Sequence, residues 1–168
     1  MIPYAVMRAA ATEWLRYERR CYIVTWERGP WDNLGHRPDV MGVPVSREIV
    51  EIEIKRTFQD FKHDAEKNIW KRRDLFKQAW PAFFYYFVPP ELQEKCLPMI
   101  RDGCGLLTYN PGKLTHAGLP EIVCVKRATR SRDAKRLTVR QMTEMVRHLS
   151  GTLTSAGAQL ARYAMCDE

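Results

Sequence analysis

The sequence predicts an α/β domain in which a mixed β-sheet is flanked by helices, and three observations carry that expectation. REIVEIEIKR (47–56) alternates β-branched and charged residues at period two, the signature of a strand with one apolar and one ionic face. AFFYYFV (82–88) is an uninterrupted apolar and aromatic run of strand length, which suits a central strand buried on both faces. A long helical stretch separates the two, and strand, helix and strand in that order imply a parallel crossover. At 168 residues the chain is the size of one ordinary domain, so 1–168 is expected to fold as a single unit with its core at about 4–127.

The elements follow in order. Residues 4–20 hold good helix formers with Val6, Ala10, Trp14 and Tyr17 as an apolar stripe, so the chain opens on a helix. CYIVTWE (21–27) is β-branched and aromatic and reads as a strand, ended by the breaker-rich RGPWDNLGH. RPDVMGV (37–43) is a second strand, expected to pair with the strand in 47–56 through a turn at Pro44 and Ser46. Thr57 with Asp60 three residues on resembles a helix N-cap, and the helix it starts extends to about Ala79, before Pro81. PPELQEKCLPMIRDG starts with the proline that helix starts favour and closes on Gly103. CGLLTYN (104–110) and EIVCVKRA (121–128) are two more strands, and a C-terminal helical tail covers about 138–165.

Hydrophobic residues make up 45% and charged residues 28%, which excludes a disordered or fibrous chain. No stretch approaches the roughly 20 apolar residues of a membrane helix, so no membrane partner is expected and the cytoplasm is the expected location. The five cysteines are scattered, without a C-x-x-C pair, and read as reduced, mostly buried thiols. The net charge of +7 is concentrated: residues 126–140 contain Lys126, Arg127, Arg130, Arg132, Lys135, Arg136 and Arg140 against Asp133 alone. That basic segment is either a solvated loop or a surface that meets phosphate, with nucleic acid the favoured partner.

The ionic face carries the chemistry. Glu51, Glu53 and Lys55 project from one side of their strand, and burying them would be costly without compensation. One arrangement is a solvent-facing charged stripe on an edge strand. The other is a hard cation, because Asp and Glu oxygens suit magnesium, which binds through one or two carboxylates plus waters and phosphate. Asp39, on the preceding strand, reaches the same cation if the two strands are neighbours.

The combination of Pro38-Asp39 with Glu53-Ile54-Lys55, 14 residues after Asp39, behind an opening helix resembles the PD-(D/E)XK nuclease superfamily. Its core is helix, three strands, helix, strand, the restriction-endonuclease-like fold. EIKRTFQDFKHDAEK, then FFYYFVPPEL, then GCGLLTYN are similar to the MmcB-like group of bacterial and phage nuclease-fold proteins. The resemblance spans about residues 10–127 and does not extend to the basic segment or the tail. It implies that Asp39 and Glu53 bind magnesium or manganese with the backbone carbonyl of Ile54, and that Lys55 orients or polarises the attacking water. Lys55 is expected to serve the chemistry and not the fold. Many members place a Glu on the first helix, where Glu13 stands; Glu27 is the rival for that place.

Lys62, His63 and Lys67 follow the motif on the crossover helix and face either solvent or phosphate. Nucleic-acid contact is expected at Lys62, Lys67, Arg127, Arg130, Arg132, Lys135 and Arg136. The aromatic run is expected to be core, and Trp31 is the tryptophan placed in a loop beside the site. The function implied is hydrolysis of phosphodiester bonds in DNA leaving 5′-phosphate ends, a role in DNA repair or phage biology, and a homodimer for duplex cutting. Two readings stand beside it: a nuclease-fold DNA-binding or assembly module without catalysis, and an RNA-directed nuclease, since phosphate contacts carry no sequence information.

Overall fold

Tyr4–Tyr17 forms helix α1, with the carbonyl of Pro3 accepting from the amides of Val6 and Met7 at its first turn. The computed structural model describes residues 1–27, 37–66 and 81–166, without the side chains of 65, 66, 152, 153 and 155–166. Strands β1 (Cys21–Trp26), β2 (Val40–Pro44) and β3 (Val50–Ile54) follow, then α2 (Phe58–Glu66) and β4 (Phe83–Phe87). Two short 3-10 turns, Pro90–Leu92 and Leu97–Met99, bracket α3 (Gln93–Cys96); β5 (Gly105–Leu114), β6 (Pro120–Lys126) and α4 (Val139–Cys166) complete the chain.

The strands form one six-stranded sheet in the order β1-β2-β3-β4-β5-β6. β3 with β4 and β4 with β5 are parallel, and the other neighbours are antiparallel, so the expected mixed sheet with helical flanks is present. The expected pairing of β2 with β3 runs Val40 opposite Ile52 and Met41 opposite Glu51. β4 is central and its Phe84, Tyr85, Tyr86 and Phe87 are buried, which makes the aromatic run core. The strand in 37–43 begins only at Val40, because Pro38 lacks the N–H a ladder requires.

α1 covers one face of the sheet. Met7, Ala11 and Leu15 pack there against Val40, Val50, Ile52, Ile54, Phe87 and Leu107. Each large side chain taken out of water there contributes roughly 2 kcal/mol. The stripe expected from the sequence is therefore rotated: Met7, Ala10, Ala11 and Leu15 are buried, whereas Tyr17 is 74% exposed. On the opposite face Phe61 of α2 packs on Phe84, Tyr86 and Leu106, while Met145 of α4 packs on Ile23, Met41, Val43 and Ile49.

Side-chain caps start α2 and α4, whereas α1 has none. The Thr57 hydroxyl accepts the Asp60 amide at 3.1 Å, as the sequence led one to expect. At α4 the cap is reciprocal: Thr138 Oγ1 accepts from the Gln141 amide at 3.2 Å, and Gln141 Oε1 accepts from the Thr138 amide at 2.9 Å. The expected continuation of the crossover helix to Ala79, with Lys67, and the loop with Trp31 lie outside the described residues. Among the described residues no helix is long and apolar enough to cross a membrane. Cys21, Cys96 and Cys104 are buried free thiols and Cys124 is exposed.

Candidate functional site

β3 is not an edge strand, and its ionic face is not in solvent. Glu51 is 0% exposed and Lys55 6%, while Val50, Ile52 and Ile54 serve the α1 face. A charged stripe that merely blunts a sheet edge is thereby ruled out, because β3 lies between β2 and β4. Buried charge must be held by partners.

The partners converge at the C-terminal end of β3. One step beyond the Val40–Ile52 pair, Asp39 stands across from Glu53. Asp39 Oδ2 accepts the Ile54 amide at 2.7 Å, and Asp39 Oδ1 accepts the Tyr4 hydroxyl at 2.9 Å. Lys55 Nζ lies 2.6 Å from Glu53 Oε1 and 2.9 Å from Asp64 Oδ1. The Tyr86 hydroxyl donates to Asp64 Oδ2 at 2.9 Å. Five elements thus meet here: the start of α1, the approach to β2, the end of β3, α2 and β4.

The electrostatics follow from burial. Burial, then the charge of Asp39, push the Glu53 carboxyl up to about 7, with Lys55 working the other way. Burial works against the charge on Lys55, but Glu53 and Asp64 outweigh it and hold the ammonium above its ordinary pKa. Burial and then Asp39 raise the Tyr4 hydroxyl, and burial and then Asp64 raise that of Tyr86, so both remain donors. Asp39 and Glu53 repel each other in a poorly hydrated place, and a cation between them would cancel that cost.

The donor set fits a small hard cation. Both groups are carboxylates, and their hydrogen-bonded oxygens keep lone pairs for a metal. Among the described residues no group of three or more His, Cys, Asp or Glu side chains is placed to hold a metal ion. Two carboxylates would therefore need a backbone oxygen, water and a phosphate oxygen to complete a shell.

Sequence reasoning grouped Asp39, Glu53, Ile54 and Lys55, and the structure brings these together. Glu13 lies apart from this cluster. It lies nine residues along α1 from Tyr4, roughly 14 Å at 1.5 Å per residue. It accepts from Thr115 Oγ1 at 2.7 Å in a groove of about 1180 Å³ between α1 and the β5–β6 hairpin. The rival Glu27 is nearer: its amide donates to the Pro38 carbonyl at 2.9 Å, and its carboxylate pairs with Arg8 at 3.2 Å. Glu27 adopts φ 50°, a strained conformation for a residue with a Cβ, and does so directly beside Asp39. Arg8 in turn stacks over the rings of Trp26 and Tyr4, with its guanidinium carbon 4.7 and 5.7 Å from their centroids.

Asp64, Tyr86 and Tyr4 were missed. A polar residue on a helix reads as solvent-facing, and the available signal for Asp64 was its spacing of three from Phe61, which is buried. Lys62 and His63 are exposed on α2.

The basic segment sits at the other end of the strands. Thr129 donates to the Gly103 carbonyl, Ser131 to that of Ala82 and Leu137 to that of Arg47, which ties the segment to the starts of β5, β4 and β3. The length of β3 alone, from Val50 to Ile54, separates it from the site by roughly 13 Å. Glu48 holds Arg130 at 2.9 Å and Arg136 at 3.9 Å, while Arg127, Arg132 and Lys135 are exposed.

No family model matches the chain. No curated protein matches it. Among solved structures, the SPO1766 protein of unknown function from Silicibacter pomeroyi superposes with a TM-score of 0.64 at 20% identity, covering 93% of this chain and 92% of that one. That likeness concerns the fold.

Proposed function

We propose that this chain is a divalent-metal-dependent nuclease of the PD-(D/E)XK type acting on DNA. The observation that carries the reading is the Asp39 carboxylate held on the Ile54 amide across from Glu53, whose Oε1 lies 2.6 Å from the Lys55 ammonium. The order α1, three strands, α2, β4 is also that of the superfamily core that the sequence motifs resemble.

Asp39 and Glu53, with the Ile54 carbonyl, would hold magnesium or manganese. When bound, the metal would act as a Lewis acid on a phosphoryl oxygen and lower the pKa of a coordinated water. Lys55 faces the same place and would orient the attacking water and stabilise the charge that develops on phosphate. Tyr4 fixes the rotamer of Asp39 through its hydroxyl. Arg127, Arg132 and Lys135 would contribute nonspecific attraction for the polyanion from the far end of the sheet.

Matched DNA and RNA oligonucleotides, single-stranded and duplex, incubated with the chain and magnesium test the reading. Cleavage of DNA with 5′-phosphate ends, lost with chelator and in Asp39→Ala, is the expected result. Cleavage confined to RNA would reassign the substrate. Metal-independent binding without cleavage of either polymer would make the chain a nuclease-fold binding module.

A further inference from the structure

Asp64 is a charged group with 3% exposure, and the assignment of metal to Asp39 and Glu53 leaves it without a role. It lies on α2, on the turn that carries buried Phe61 to the sheet. Its Oδ1 is 2.9 Å from Lys55 Nζ, and its Oδ2 accepts from the Tyr86 hydroxyl at 2.9 Å. We propose that Asp64 is a positioning residue that aims the Lys55 ammonium, a role resting on the nuclease reading of Asp39, Glu53 and Lys55.

A lysine head at the end of four methylenes is not directed by its own stem. Glu53 alone would hold it at one point, and that point moves whenever the Glu53 carboxylate turns toward a cation. Asp64 adds a second point from a different element. It is itself fixed from β4 by Tyr86, whose ring packs edge-on against Phe61 at 5.0 Å between centroids. Two of the three ammonium protons thus have carboxylate acceptors, and the third remains for water or a phosphate oxygen. Removing one acceptor leaves the Lys55 head held at Glu53 alone and free to rotate about that contact. A carboxylate present only to neutralise Lys55 would not need the Tyr86 hydroxyl.

The test compares the full chain with Asp64→Asn and Tyr86→Phe, two variants that keep side-chain volume. Cleavage of a DNA duplex with magnesium gives kcat and KM, magnesium affinity is measured by calorimetry, and the Lys55 ammonium is observed by ¹⁵N NMR in lysine-labelled protein. Asp64→Asn is expected to lower kcat about 10- to 100-fold, as loss of an outer-shell partner does. KM and magnesium affinity should change less than about threefold, and the slowly exchanging Lys55 signal of the parent should broaden away. Tyr86→Phe should show the same pattern at smaller size. Full kcat in a folded Asp64→Asn, or an unchanged Lys55 signal in both variants, overturns the proposal. Should the parent not cleave with magnesium, the nuclease reading fails, and the NMR signal still decides whether Asp64 fixes the ammonium: its loss supports the positioning and its persistence overturns it.

Discussion

Replacing Glu53 by Gln should make the metal-free protein more stable at pH 8 and change its stability by less than about 1 kcal/mol at pH 5. Burial and the neighbouring Asp39 push the Glu53 carboxyl from 4.5 up to about 7. The unfolded chain releases its proton near 4.5, while the folded chain keeps it until about 7, so stability falls as pH rises through that interval. The loss is complete above about 7 and absent below about 4.5. Each unit is worth about 1.4 kcal/mol, which over the interval gives about 3 kcal/mol. A glutamine cannot ionise and escapes this loss, although it forfeits the charge of its bond to Lys55, so a gain of about 2 kcal/mol at pH 8 is the working figure. Urea denaturation of both proteins with chelator, at pH 5 and pH 8, measures it. Magnesium at about 100 times its dissociation constant should then add about 2.7 kcal/mol to the parent and nothing to the variant. An equal difference between the two proteins at both pH values, or a variant less stable at pH 8, would refute the reasoning.

Three further perturbations have defined outcomes. Tyr4→Phe removes the hydroxyl that orients Asp39 Oδ1 and should weaken magnesium binding about 10- to 100-fold by calorimetry; unchanged affinity would count against that link. Replacing Arg130, Arg132, Lys135 and Arg136 by Gln should flatten the slope of log affinity for DNA against log salt by only about 2, because Glu48 already holds two of the four and each free contact is worth about 0.9. An unaltered slope would make the segment a solvated loop. Gly105→Ala would drive a Cβ into the Tyr85 ring and to 2.8 Å from the Ala128 amide nitrogen. That overpacking should cost about 2 to 3 kcal/mol and lower Tm by about 6 to 10 °C in a thermal melt, whereas an unchanged Tm would show that the strands can shift.

The sheet was legible in the sequence where one face differs chemically from the other. β3 announces itself by alternation, and β4 by an aromatic run with no polar break, which only a strand covered on both sides tolerates. α1 was less legible because its alanines contrast weakly with neighbouring polar residues. A stripe through Val6, Ala10, Trp14 and Tyr17 fits the helical period about as well as the buried Met7, Ala10, Ala11 and Leu15. Asp39, Glu53 and Lys55 were legible because their spacing is local, whereas Asp64 depends on how far α2 turns before it meets β4. Lys55 was expected to matter for chemistry alone. Its side chain is 8% exposed between two carboxylates, and its loss would leave those carboxylates facing each other. The basic segment was legible as charge but not as position, because its hydrogen bonds to Gly103, Ala82 and Arg47 cross long sequence distances.

Everything proposed for this chain turns on a cation held between Asp39 and Glu53, and calorimetric titration with magnesium or manganese tests that most directly. The parent is expected to show a saturable site near neutral pH that Asp39→Ala and Glu53→Ala both abolish while remaining folded. A parent that takes up no metal, or an unchanged site in both variants, would contradict it.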